Sequence, residues 1–209
     1  EIFKYLFDIY SKNKDNAKLA ALTGEYLDLS PSIATAREDI YSKAQSYGQT
    51  KLMLEQLEQI TRTSDLSKRY ALGFLHWQLG QQDDARRIWE SWISSTSADK
   101  VAANHAILYN FYKTHGHMEE ALEHLHKAVT KSTPESAWAY QAELAYAYVI
   151  SGDVDKATQI FDVAVEQVEK NQPGQLARVI LKQAQALYDA GYTRHAESTA
   201  ELAQKLSVD

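Results

Sequence analysis

A turn motif that recurs along the chain constrains its fold more than any other feature of the sequence. Four segments place an alanine five residues after a glycine, at Gly80, Gly116, Gly152 and Gly191, and the intervals between these glycines are 36, 36 and 39 residues. On both sides of each turn, apolar residues recur at intervals of three and four, which is the spacing of one helix face. The pattern therefore predicts a series of helix–turn–helix units.

The residues within each turn are those that end one helix and start the next. Glycine tolerates the positive φ that follows the last turn of a helix. Acidic pairs such as Asp83–Asp84 come next, where the dipole of the second helix favours negative charge. A small alanine then falls where two antiparallel helices approach most closely. The three prolines of the chain all lie between hairpins, where a helix must stop, at Pro31, Pro134 and Pro173.

Less regular forms of the motif precede residue 66. Gly48 is followed five residues later by Met53, and residues 13–17 form a further turn without glycine. We therefore predict a single repeat domain over residues 1–209, with two degenerate repeats in 1–65 and four clearer repeats in 66–209. Because the chain starts at Glu1 and both of its ends are apolar helical patterns, we expect a fragment of a longer chain. Further repeats, or self-association through the ends, would then cover those faces.

Composition excludes several classes of function. The net charge of −6 argues against a nucleic-acid partner, since phosphate binding needs a basic surface. No run approaches the roughly 20 apolar residues of a membrane span. The absence of cysteine excludes disulfides and thiolate zinc sites, and it is compatible with either the bacterial periplasm or the cytoplasm.

Pieces of a known signature lie within these units. One unit has Leu72-Gly73 followed by Ala85-x3-Trp89, and another has Ala157-x3-Phe161. They resemble the tetratricopeptide repeat family, whose signature is Trp-x2-Leu-Gly-x2-Tyr followed by Ala-x3-Phe. The resemblance implies an all-α fold, an α-solenoid of antiparallel helix–turn–helix repeats forming a right-handed superhelix. It also implies a protein or peptide partner, bound in a concave groove that the first helix of each hairpin lines.

The resemblance also places particular side chains in that groove. They are Tyr70, Phe74, Trp77, Asn110, Lys113, Tyr146, Arg178, Lys182, Gln185 and Tyr188. For Tyr70, Phe74 and Trp77, packing in the core is an equally weighted alternative. Leu72 and five further aromatic residues are assigned to the core, namely Trp89, Trp92, Tyr109, Tyr112 and Tyr148. Where some members of the family grip a C-terminal carboxylate, only Asn110 matches, so that clamp is not expected here.

The histidines raise the question of a metal site. Five of the seven lie between His105 and His126, and His117 and His124 could approach each other across one hairpin. Without cysteine or a matched carboxylate cluster, however, we expect neither metal nor cofactor. Catalytic motifs are also missing, and the adjacent carboxylates Glu119–Glu120 occupy the helix-start position of their repeat, so we expect no enzymatic activity.

These observations favour a non-catalytic scaffold for protein–protein interaction, with a bacterial secretion, envelope or polysaccharide-export assembly as the expected setting. The alternative is a sensory or regulatory module of a longer signalling or transcription-regulating protein. A helical repeat that reads RNA is a third hypothesis, which the acidic charge opposes.

Overall fold

The computed structural model describes residues 2–30, 33–61 and 66–207, and within these ranges every regular element is helical. The all-α helical-hairpin architecture is therefore confirmed. The chain divides into two compact units, Glu1–Thr96 and Ser97–Asp209. This boundary lies one hairpin beyond residue 65, where the repeats become clearer in sequence. Of the helices in the described ranges, none combines the length and hydrophobicity that crossing a membrane requires.

The described residues of unit 1 form six helices in three successive hairpins. Neighbouring hairpins also contact each other, since α2 packs against α4 and α3 packs against α5. We call the odd-numbered member of each pair the first helix and the even-numbered member the second helix. The bounds are α1 Ile2–Lys12, α2 Asn16–Leu29, α3 Ile33–Ser46, α4 Thr50–Thr61, α5 Leu66–Gln78 and α6 Gln82–Ser94.

In unit 2, residues 97–207 also form three hairpins, most of them with longer helices. The hairpins stack in chain order, because α9 packs against α8 while α11 packs against both α9 and α10. A short 3₁₀ turn at Pro173–Gln175 precedes the last hairpin. The bounds are α7 Ala98–Thr114, α8 Met118–Lys131, α9 Pro134–Ile150, α10 Val154–Asn171, α11 Leu176–Asp189 and α12 Thr193–Leu206.

The same backbone turn joins the two helices of each hairpin. In the α9–α10 turn, the backbone N–H of Asp153 bonds the carbonyl of Tyr148 at 2.9 Å, and Gly152 has a φ of 90°. Together these form a Schellman motif, in which a glycine follows the helix and a backbone hydrogen bond spanning six residues closes its last turn. In the first hairpin, which lacks the glycine, Lys14 takes the left-handed conformation with a φ of 56°. The turn predicted at residues 13–17 is therefore present.

Alanines fill the crossing points of the hairpins. Ala85, Ala121 and Ala157 are each 0% exposed at the start of their second helices. One turn later each second helix places a large apolar side chain in the core, at Trp89, Leu125 and Phe161, each 1% exposed. The small residue lets the helices approach, and the large residue fills the space beyond, as close packing of an interior requires.

Gly73 has a packing role within α5. The Trp89 ring lies against its backbone, so that a Cβ added at Gly73 would lie 2.3 Å from Nε1 of Trp89. The same Nε1 donates a hydrogen bond of 3.1 Å to the carbonyl of Tyr70. Only a residue without a side chain leaves room for the indole to approach this helix and satisfy its N–H.

We expect Gly73→Ala to destabilise the protein by about 1–3 kcal/mol, because the methyl group displaces the Trp89 ring and overpacks the core. This loss outweighs the gain of about 1 kcal/mol that alanine brings to a helix interior. Urea unfolding followed by circular dichroism measures the change. In a Trp89→Leu background the same substitution should cost much less, and an unchanged cost there would contradict the proposed clash.

Candidate functional site

A carboxylate on α9 lies at the centre of a polar network in unit 2. Oε1 of Glu143 accepts hydrogen bonds from the Tyr109 hydroxyl at 2.8 Å and from Nζ of Lys113 at 3.3 Å. Its Oε2 accepts from Nζ of Lys182 at 2.7 Å. Tyr109 and Lys113 belong to α7, one helical turn apart, and Lys182 belongs to α11. The contacts therefore join the first helices of three consecutive hairpins.

Tyr146 extends this arrangement along α9. Its ring lies beneath both ammonium groups, with Nζ of Lys113 at 5.4 Å and Nζ of Lys182 at 4.5 Å from the ring centroid. These are cation–π distances. Its hydroxyl donates to Oδ2 of Asp189 at 2.7 Å, while Nε2 of Gln185 donates to Oδ1 of the same carboxylate at 2.8 Å. We call Tyr109, Lys113, Glu143, Tyr146 and Lys182 the lysine–glutamate network.

The protonation states of the network follow from these contacts. Burial opposes ionisation of Glu143, but hydrogen bonds from Lys182 and Tyr109 outweigh it and lower the pKa of the carboxyl. Burial, together with the hydrogen bond to Glu143, raises the pKa of Tyr109. The hydrogen bond to Asp189, with burial, raises the pKa of Tyr146 to about 12. At neutral pH, Glu143 is thus an ionised acceptor and both phenols are protonated donors.

A small cavity opens beside the network. Its volume is about 250 Å³. Lys113 contributes the cationic part of its rim, and Met118 and Ile150 are 39% and 47% exposed. The lining residues are Tyr109, Lys113, Met118, Tyr146, Ala147, Ile150 and Ser151. Sites for drug-sized ligands usually exceed about 300 Å³, so this cavity suits a single apolar side chain better than a cofactor.

Four of the residues predicted for the groove meet in or beside the network, namely Lys113, Tyr146, Lys182 and Gln185. Three others are exposed on the first helices and lie outside the network as defined. Asn110 bonds the carbonyl of Ala106 in its own helix at 3.1 Å, and Arg178 bonds Gln175 at 3.1 Å. Tyr188 is 63% exposed. The groove assignment of all seven remains a prediction.

Tyr70, Phe74 and Trp77 have the environment of core residues, with exposures of 5%, 1% and 8%. The guanidinium of Arg37 on α3 lies 4.2 Å from the Phe74 ring centroid and covers it from the side of the preceding hairpin. Trp77 packs against the Trp89 ring, with centroids 6.0 Å apart. These three side chains therefore lie in the core, which was the alternative to the groove. Little of their surface is accessible to a partner. The core assignments of Leu72, Trp89, Trp92, Tyr109, Tyr112 and Tyr148 are confirmed.

Three members of the site were not singled out from the sequence for the groove, namely Tyr109, Glu143 and Asp189. A signal for Glu143 was present, because it is the only charged residue of α9 after the first turn, in a segment otherwise rich in alanine and aromatic residues. A charge at such a position needs a partner when the helix packs against neighbours on both sides.

The histidines form a different arrangement from the one that the sequence indicated. Nδ1 of His105 lies 3.0 Å from Nδ1 of His124, and the His124 ring stacks on Tyr112 with centroids 5.4 Å apart. His117 instead lies beside Glu120, with Nδ1 3.6 Å from the carboxylate. The pair that the structure brings within hydrogen-bond distance is therefore His105 and His124. Within the described ranges, no three His, Asp or Glu side chains form a group that could hold a metal ion.

Comparison with known proteins identifies the repeat. Residues 69–91 match the family model described as tetratricopeptide repeat. The match includes Leu72, Gly73, Ala85 and Trp89, four of the residues that carried the resemblance, and that resemblance is confirmed. No curated protein sequence matches this chain.

One solved structure with a similar fold also contains TPR-like repeats. A kinesin light chain-like protein from Podosopora anserina, with nearly identical TPR-like repeats, is 22% identical, with a TM-score of 0.53 over 85% of this chain and 96% of that chain. BtubC from P. vanneervenii is 15% identical, with a TM-score of 0.48 over 93% of this chain and 89% of that chain. At its level of identity, the first of these similarities shows the fold alone.

The His105–His124 pair makes stability depend on pH. Burial, followed by the charges of His105 and Lys127, lowers the pKa of His124 to about 4 against an ordinary value of 6.5, while Glu123 opposes the shift. Burial and the charges of Lys127 and Lys131 also lower the pKa of His105. Between pH 6.5 and about 4 the unfolded chain therefore binds more protons at His124 than the folded chain does. Stability falls as the pH falls through this window.

We expect the free energy of unfolding to drop by about 2 kcal/mol between pH 7 and pH 4.5 through this residue. Urea titrations at several pH values measure the drop. A His124→Gln variant keeps a polar side chain but does not titrate, so its stability should depend less on pH. Equal slopes for the two proteins would contradict the assignment.

Proposed function

We propose that this chain is a non-catalytic scaffold that binds a peptide segment of a partner protein at the lysine–glutamate network of unit 2. One observation carries the proposal. Two lysines from different hairpins converge on a single carboxylate, yet their side chains remain 38% and 36% exposed, at Lys113 and Lys182. Polar groups that are held in place by the fold and still reach solvent are suited to recognition.

The charges of the network favour an acidic partner group. The positive charges of Lys113 and Lys182 balance the carboxylates of Glu143 and Asp189, in a chain whose total charge is −6. The exposed Arg178 lies one helical turn before Lys182 and adds a further positive charge. An ammonium has three N–H donors, so Lys182 can bond a partner carboxylate while it still holds Glu143.

The cavity beside the network adds an apolar preference. Tyr146 both lies beneath the lysines and lines the cavity, so an acidic group and an apolar group of one ligand would be bound side by side. A peptide with an acidic residue next to a bulky apolar residue fits both features. An apolar side chain in a small pocket beside charged rim contacts is how many peptide interfaces gain affinity.

The protonation states support binding over catalysis. A general acid or base works best when its pKa lies near the working pH. The shifts at Glu143 and Tyr146 move both pKa values away from neutrality, toward a permanent acceptor and a permanent donor. Such groups stabilise a fixed geometry, which suits a recognition surface.

Selection of displayed random peptides against the whole chain tests the proposal without a known partner. We expect the enriched sequences to pair an acidic residue with an aromatic or large aliphatic one. Binding of a selected peptide, measured by calorimetry, should weaken about tenfold or more in Lys182→Met, because a charge-assisted hydrogen bond is lost. Higher salt should weaken binding to the parent chain.

Lys127→Met provides the matched control, since Lys127 is an exposed lysine of α8 that pairs with Glu123 in its own helix. It should leave peptide binding unchanged. Lys182→Arg, which keeps the charge, should recover part of the lost affinity. If Lys182→Met binds the selected peptides as well as the parent does, with its helix content intact, the network is not the binding site.

A further inference from the structure

The last hairpin of unit 2 has an open apolar face. Between α11 and α12 lies a groove of about 380 Å³, lined mainly by Leu181, Ala184, Tyr188, Ala196 and Ala200. Leu181 and Tyr188 are 56% and 63% exposed. Large apolar side chains at such exposure, grouped around a groove, are typical of a surface that contacts another element.

The repeat itself shows what kind of element occupies this groove. Alignment of Gly191 with Gly152 pairs Leu181 with Ala142 and Tyr188 with Val149. These two equivalents in α9 are only 2% and 3% exposed. At the α9–α10 hairpin, the first helix of the next hairpin, α11, packs against both α9 and α10. The natural occupant of the α11–α12 groove is therefore the first helix of a hairpin.

Unit 1 presents such a helix with an uncovered apolar side. One side of α1 packs inward through Phe3 and Phe7, while Ile2 and Tyr5 on its other side are 78% and 68% exposed. Leu29 at the end of α2 is 81% exposed. Together α1 and α2 border a groove of about 520 Å³, whose apolar lining consists of Ile2, Phe3, Leu6, Leu22, Tyr26 and Leu29.

We propose that the α1–α2 face of one molecule docks on the α11–α12 face of a second molecule, so that the packing of hairpin on hairpin continues from copy to copy. The interface joins two different surfaces, so each molecule keeps one free face after pairing and the assembly grows beyond a dimer. The driving force is burial of the exposed apolar side chains.

Salt distinguishes this contact from peptide binding at the lysine–glutamate network. Each groove also carries one exposed carboxylate, Glu25 in the α1–α2 groove and Glu197 in the α11–α12 groove. Because these are like charges on opposing faces, screening by salt should strengthen the association. Peptide binding to Lys113 and Lys182 should respond in the opposite direction. The two proposals can therefore fail independently.

Analytical ultracentrifugation of the whole chain tests the proposal. The parent should form species larger than a dimer as the concentration rises from about 1 to about 500 μM, a range set by affinities that weak interfaces commonly have. The double substitution Ile2→Glu with Leu29→Glu disables the α1–α2 face. The double substitution Leu181→Glu with Tyr188→Glu disables the α11–α12 face. Because all four side chains are exposed, the helix content should be unchanged. Each double variant alone should be monomeric, with association weakened at least about tenfold.

Mixing the two double variants is the decisive step. Each retains the face that the other lacks, so an equimolar mixture should form a one-to-one dimer that does not grow. Val163→Glu, which changes an exposed apolar residue of α10 that lines neither groove, should associate as the parent does. A parent that stays monomeric over the whole range, a double variant that still self-associates, or a mixture that stays monomeric would each overturn the proposal.

Discussion

The close approach of the two helices in each hairpin is the constraint on which the rest of this structure depends. An amphipathic helix cannot bury its apolar stripe alone, so the hairpin is the smallest unit that can begin a core. Ala121 and Ala157 permit the contact by occupying the crossing points with almost no volume, and both are fully buried. A larger residue there would separate the helices. The spacing of successive first helices, and with it the position of Glu143 between α7 and α11, follows from this packing.

Glu143 shows how a polar group is accommodated in such packing. Its side chain is 26% exposed, so a lone carboxylate there would be costly to ionise. The fold offsets this cost with three hydrogen bonds from two neighbouring hairpins. Replacing such a cluster by apolar residues often leaves stability unchanged or improves it, so its presence is weak evidence for a role in stability. In the function that we propose, its role is to hold two lysines at fixed positions on the surface.

The hairpins could be predicted from sequence because their determinants are local. Gly152 ends one helix, and Ala157, five residues later, marks the crossing point, so a short window contains both signals. The environment of Phe74 could not be read in this way. Its burial depends on the guanidinium of Arg37, a residue of the preceding hairpin. Whether an aromatic residue of a first helix faces solvent or core is decided by its neighbour in the stack.

The same distinction applies to the candidate site. Lys113, Tyr146 and Lys182 could be placed on first helices from the repeat pattern, but the carboxylate that connects them could not. Glu143 lies 30 residues from Lys113 and 39 from Lys182, so no local spacing relates the three. Only the stacking of hairpins brings them together. Sequence periodicity thus predicts which face a residue occupies, while its chemical partners depend on how that face is aligned with the next.

For the acidic partner that we propose, the charge distribution of the chain adds selectivity to binding at the lysine–glutamate network. With a net charge of −6, the chain as a whole repels an acidic partner. Screening confines each charge to about 8 Å at physiological salt, so a partner close to the surface responds to the nearest groups. At the network those groups include Lys113 and Lys182, with Arg178 beside them, whereas elsewhere an acidic segment meets a surface with an excess of carboxylates. Such an arrangement acts mainly by disfavouring binding in wrong orientations or at other parts of the surface. Its contribution to affinity in the correct orientation is smaller.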